Sequence, residues 1–363
     1  MKKFAYICAN ANSLKDFVDI NNDDELSIEP FLCETTWERQ MLFFSKHNDI
    51  DGLILDSELD VYDSKRMFSG SAIAQEIRIR QLNGYLKREF PIVLFCSANN
   101  VLHKEYNSQL FDFCLEQTQI NIVNDSKKLT NIVDAYRILA VNNDLSDILK
   151  TDINKLDSRF VKEFCVLKNS PIFKKVQYVL NELVIRQGLL ISEDILAVRL
   201  GIDKSESKGN WLTVLASLNS FGAKNQGIFS DGWPRWWMPM VDEWWYQLEG
   251  NDTYIRFYSA EKRAKLVEEK LNMRLSEKIQ LVPAKAKSRF SFSTDYWTIC
   301  DVTNEPLDIE DGLMLPCQDN LYPWQDARYV SIMAAIEESL EVSDFDDERL
   351  ERYKKLVEKE KNN

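Results

Sequence analysis

The chemistry-bearing candidate in this chain is Asp56, in the segment IDGLILDSELD, just after the apolar run GLIL. It falls near the third position of a five-strand alternation. In an open parallel sheet, the carboxyl ends of the central strands border the crevice where ligands bind. A carboxylate placed there can act as a nucleophile toward a phosphoryl group when a divalent cation neutralises the incoming charge. A hydroxyl on the next strand and a nearby lysine would stabilise the product. Ser97, ending PIVLFCSA, supplies the hydroxyl.

Other chemistries have little to work with. Only two histidines occur, His47 and His103, so a Ser-His-Asp triad, a Cys-His dyad or a His-rich zinc site would depend on these alone. The seven cysteines (Cys8, Cys33, Cys96, Cys114, Cys165, Cys300 and Cys317) include no C-x-x-C pair. That pattern suits buried thiols in a reducing compartment. No glycine-rich phosphate loop or nucleophile elbow appears. The acidic segment DVTNEPLDIEDG does not follow the calcium-loop spacing and reads as a carboxylate-rich turn. The expectation is a non-enzymatic protein.

The elements that must position Asp56 read as an α/β layer. Strand candidates lie at 4–8, 27–33, 52–55, 91–96 and 119–123. GLIL and PIVLFC are apolar at every position, as in strands covered on both faces. Helix-like segments fall between them: TTWERQMLFFSKHND with threonine caps, SGSAIAQEIRIRQLNGYLKR with Ser69 or Ser71 as cap, and TNIVDAYRILAV. The expected fold is a flavodoxin-like parallel sheet over 1–142, then a linker at 143–160. A mainly helical region over 161–275 and a small α+β region with terminal helices over 276–363 follow.

With 363 residues, 45% of them apolar, the chain is long enough for two or three cores. No run approaches the length of a membrane helix, and the short apolar start after two lysines reads as a strand. A cytoplasmic location is expected. The net charge of −13 argues against broad nucleic-acid or anionic-membrane binding.

The order strand, helix, strand, helix, strand–Asp, loop, helix, strand–Ser–Ala resembles a response-regulator receiver domain over residues 1–140. The resemblance implies that Asp56 is the phosphoacceptor and a magnesium ligand, with Ser97 as the switch hydroxyl. Lys127 or Lys128 would be the phosphate-contact lysine. The sequence departs from the pattern at three places. Asn10 and Asn12 stand where receivers carry an acidic pair, and Asp19, Asp23 and Asp24 come too late unless the first helix is displaced. The lysines follow the fifth strand candidate by several residues, and the loop after Asp56 is long. Two neutral amides cannot replace two charges around a hard cation.

The strings GIFSDGWPRWW, SAEKRAKLVEEKL and NLYPWQDARYVS make the whole chain similar to divergent receiver-bearing proteins of bacterial conflict and phage-defence systems. That implies a signalling or adaptor subunit, with a histidine-kinase-like ATPase or another defence subunit as partner.

Two further features bear on partners. Trp233, Arg235 and Trp236 are candidates for a partner-binding surface, because Trp and Arg are enriched in interface hot spots. Aromatics at helical spacing, such as Trp237, Val241, Trp244 and Leu248, equally build a core. The helices of 171–219 followed by GIFSDGW resemble a winged helix, so a transcriptional regulator is one alternative. DKSESKGN reads as a connection too long for a helix-turn-helix. A non-catalytic structural subunit of a defence complex is the other.

Overall fold

Four apolar runs of the first third become strands close to where their patterns place them: β1 (Lys2–Cys8), β2 (Leu26–Leu32), β3 (Gly52–Asp56) and β4 (Ile92–Cys96). The computed structural model describes residues 1–9, 24–47, 49–57, 59, 69–86, 88–96, 109–116, 122–250, 253–274, 276–316 and 321–361. β5 is Phe113–Glu116, not the expected 119–123. Ile122 and Val123 instead fall within a helix. All neighbouring pairs are parallel, in the order β2-β1-β3-β4-β5. This is the doubly wound arrangement expected of a flavodoxin-like layer.

Helices cover both faces. α1 (Trp37–Lys46) starts at Thr36 and α2 (Gly70–Leu82) at Ser69, each side chain accepting a backbone N–H of the first turn. Met41 and Phe44 of α1, with Ile73 and Ile77 of α2, pack on Ala5, Ile7, Leu53, Leu55 and Ile92. The alternate residues Phe4, Tyr6, Ile54 and Val93 are equally buried on the opposite face. There α3 (Ile122–Val141) runs along β2, and Lys2 Nζ reaches Asp134 at 2.5 Å.

The amino-terminal edge of the sheet is closed by a buried polar network. Arg78 of α2 donates to Asp112 Oδ2 at 2.8 Å, to Tyr136 of α3, to Gln81 and to the carbonyls of Phe90 and Leu110. Asp112 also accepts from Tyr136 and from Ile92 N at the start of β4. Burial pushes the Asp112 carboxyl up, and Arg78 with the Ile92 N–H pulls it back. Each member satisfies another, as a buried ionic group requires.

The first compact unit comprises Met1–Ile185 and Gln226–Trp233. After the layer come α4 (Leu145–Leu149), α5 (Ser158–Val166) and α6 (Ile172–Val179), which runs into a π-helical turn at Leu180–Ile185. The stretch 143–160, read as a linker or a connecting helix, carries α4. Glu89 caps α6, both carboxylate oxygens accepting from Ile172 N and Phe173 N. Lys175 of α6 donates to Leu139 O at the end of α3, at 2.8 Å, a favourable match to that helix's negative end.

The second unit comprises Arg186–Asn225 and Pro234–Asn363. Its core begins with β6 (Leu190–Ile191), α7 (Glu193–Arg199), α8 (Lys204–Ser220) and β7 (Trp236–Trp237). The turn between α7 and α8 is residues 200–203, with Gly201 at φ +72. The segment DKSESKGN is therefore not a long connection: Asp203 caps α8, and the helix kinks at Lys208. β6 pairs antiparallel with β7, and Lys224 bridges Trp236. A short strand pair and two helices across a four-residue turn thus form this part of the second unit.

Against it pack α9 (Met238–Glu249) and α10 (Ala260–Arg274) through Val241, Trp244, Trp245, Leu248 and Val267. The remainder is two small antiparallel pairs, β8 (Thr298–Ile299) with β9 (Pro306–Leu307) and β10 (Gly312–Met314) with β11 (Tyr329–Ser331). Then come α11 (Ile332–Glu337) and α12 (Asp347–Lys361).

Candidate functional site

Asp56 is the last residue of β3, the middle strand, after four fully buried residues. It lies opposite Phe95 of β4, and Ser57 N continues the ladder to Phe95 O at 2.8 Å. Alternation puts its side chain on the face of Ile54 and Tyr6, toward α3. Tyr6 rests against the Phe95 ring at 5.7 Å. Burial first, then the Asp56 carboxylate, pushes the Tyr6 phenol up, so it stays protonated.

Two further neighbours line the described part of the crevice. The start of α2 lies against the Asp56 backbone: a Cβ at Gly70 would sit 3.0 Å from Asp56 O. The positive end of a thirteen-residue helix therefore adjoins the acidic strand end. The Ser57 hydroxyl is buried and finds no hydrogen-bond partner among the described residues, a polar atom held at the strand end. The sequence pattern singled out none of Tyr6, Ser57 or Gly70, because their proximity to Asp56 is set by pairing and not by spacing.

The companions expected for Asp56 divide sharply. Ser97, Asn10, Asn12, Asp19 and Asp23 lie outside the described residues, as does His103. Asp24 is exposed just before β2, at the amino-terminal edge. The seven residues of β2 then separate it from Asp56 by ~20 Å of parallel strand. Lys127 is exposed and Lys128 half-buried, both on α3 rather than directly after β5. Lys128 Nζ pairs with Asp125 at 3.3 Å. Burial pushes the Asp125 carboxyl up, and Lys128 opposes that shift.

A magnesium site was the cofactor expectation attached to Asp56. Among the described residues, no group of three or more His, Cys, Asp or Glu side chains could hold a metal ion. His47 ends α1 stacked on Phe43 at 4.2 Å, a packing role.

The tryptophans expected at a partner surface are interior. Trp233 is 7% and Trp236 2% exposed. Trp233 belongs to the first unit, where it meets Phe113 edge-on at 5.2 Å and also Phe229. Trp236 belongs to the second unit and donates Nε1–H to Asn219. Arg235 is half-buried, donates to Pro234 O, and is lowered to about 10 by burial, with Asp194 opposing. Trp233 and Trp236 therefore pack within the chain.

The segment Gln226–Trp233 is a strap across the first unit. Gly232 N donates to Asn131 of α3, and a Cβ at Gly232 would sit 2.9 Å from Lys128 Cα. Only glycine allows so close an approach of two backbones. At the other end, Ile228 N donates to Ile148 O of α4.

No protein-family model matches the chain, and no curated protein matches it. Among solved structures, a response regulator receiver domain protein from Clostridium thermocellum is similar at 14% identity and TM-score 0.28. That match covers 38% of this chain and 99% of the other. A CheY-like receiver domain from Methylobacillus flagellatus is similar at 18% identity and TM-score 0.26, covering 34% of this chain and 90% of the other. Identity and score are low in both, so the functional reading rests on strand order and the position of Asp56.

Proposed function

We propose that this chain is a receiver-like signalling or adaptor protein. Its α/β layer would serve as a docking platform at the sheet edge carrying Asp56. The supporting observation is a parallel 2-1-3-4-5 sheet whose middle strand ends in Asp56. A carboxylate takes up a phosphoryl group only when the charge of the donor is neutralised. A carboxylate at the end of the middle strand still offers a partner's basic or hydroxyl groups an acceptor. The test is incubation with acetyl phosphate and magnesium, read by intact mass. The platform reading predicts no gain. A gain of one phosphate that disappears in Asp56→Asn would establish a working phosphoreceiver instead.

The partner we propose is a histidine-kinase-like ATPase or another subunit of a bacterial, anti-phage system. This rests on the strings GIFSDGWPRWW, SAEKRAKLVEEKL and NLYPWQDARYVS, the first of which overlaps the strap on α3. Co-expression with an ATPase encoded beside this gene tests it. Loss of the complex in Asp56→Arg supports the platform, and an unchanged complex contradicts it.

A second reading, a winged-helix regulator, is favoured by the four-residue turn between α7 and α8 and the β6–β7 pairing of the second unit. Charge opposes it. The exposed positions of α8 include Glu206 and Lys208, with Ser205, Leu212, Asn219 and Ser220, no basic stripe for phosphates. Tight, steeply salt-dependent duplex binding would restore this reading, and none is expected.

A further inference from the structure

Cys96 closes β4, and Cys114 is the second residue of β5. In the parallel register Leu94 faces Cys114 and Cys96 faces Glu116. Cys96 therefore sits two residues beyond Leu94, the residue opposite Cys114, on the same face of the sheet. The two Sγ atoms are 2.8 Å apart, inside ordinary sulfur–sulfur contact. Cys96 is buried and Cys114 half-exposed. The chain thus brings together two thiols 18 residues apart in sequence, one of them reachable from solvent.

We propose that Cys96 and Cys114 form a reversible disulfide, a peroxide-responsive site that ties the end of β4 to β5. Peroxide oxidises the more accessible Cys114 thiolate to a sulfenic acid, and its second oxygen leaves as hydroxide. The Cys96 sulfur then attacks that sulfur, forming the S–S bond while the sulfenic oxygen departs as water. Two thiols thus give up two protons and two electrons, and one peroxide becomes two waters. A thiol reductant returns both cysteines. In a reducing compartment such a pair suits a transient, sensing role better than a permanent staple. The bond would stiffen the sheet edge next to position 97, on the face opposite the Asp56 side chain. The proposal does not depend on what Asp56 does.

The test uses the full-length native protein treated with hydrogen peroxide, alkylated, digested without reductant and mapped by mass. The expected product is a linked pair of peptides containing Cys96 and Cys114, about 2 Da lighter than their reduced sum. Dithiothreitol should abolish it, Cys114→Ala should lack it, and Cys165→Ala should retain it. Cys165 is exposed and reports that the oxidant was effective. Full alkylation of both Cys96 and Cys114 at a dose that modifies Cys165 would overturn the proposal. So would linkage confined to Cys165 between chains. The wild-type map needs no variant, so a variant that fails to fold does not blunt the result.

Discussion

At the amino-terminal edge of the five-stranded sheet, Arg78, Asp112, Tyr136 and Gln81 direct their polar groups to one another and to nearby backbone. At the carboxyl edge, Asp56 ends its strand half-buried, beside a buried Ser57 hydroxyl and the start of α2. One edge is a closed set of buried donors and acceptors, and at the other the described carboxylate is only half-buried. The contrast separates the network that holds the fold together from the strand end proposed to meet a partner. Both edges carry carboxylates, so residue type alone does not distinguish them. Burial and partners do.

The largest effect should come from breaking the closed edge. Arg78→Met leaves Asp112 buried without its cation and should cost about 3–5 kcal/mol in chemical denaturation. Pairing it with Asp112→Leu should recover much of that loss. A cost near zero for the single change would dissolve the contrast. Gly232→Ala forces a Cβ into the Lys128 backbone and should cost about 1–3 kcal/mol. It should also raise the access of acrylamide to Trp233, and unchanged quenching would show that the strap tolerates displacement.

Removing the cap that Glu89 gives α6 is a smaller change. Glu89→Ala should cost about 1 kcal/mol, read as a lower denaturation midpoint with an unchanged slope. The smallest expected effect is at the open edge. Asp56→Asn should leave stability within about 0.5 kcal/mol of the parent. A loss several times larger would make Asp56 a structural residue and erase the distinction between the edges.

Much of the layer was legible because its signals are local. GLIL and PIVLFC declare buried strands, and Ser69 sits where a cap belongs. β5 was missed because FCLE is four residues long, while the more apolar QINIV downstream partly enters α3. The polar segment after Gly201 looked like a loop, yet Asp203 caps it and a kink at Lys208 accommodates it as helix.

The rest was set by contacts distant in sequence. Arg78 reads as a surface charge until Asp112 arrives from 34 residues away. The tryptophans read equally as surface or core, because exposure is decided by elements that spacing does not reveal. Asp24 is close to β1 in sequence but belongs to the opposite edge once β2 pairs parallel to β1. The position of Asp56 was readable, and the company it keeps was not.

Magnesium titration of the native chain, followed by backbone amide shifts in β1 and β3, tests most directly whether Asp56 acts as a platform. The expected result is no saturable change at Asp56 or Ser57 up to concentrations on the order of millimolar. Saturable shifts at those residues that vanish in Asp56→Asn would mean that the crevice assembles a cation site after all.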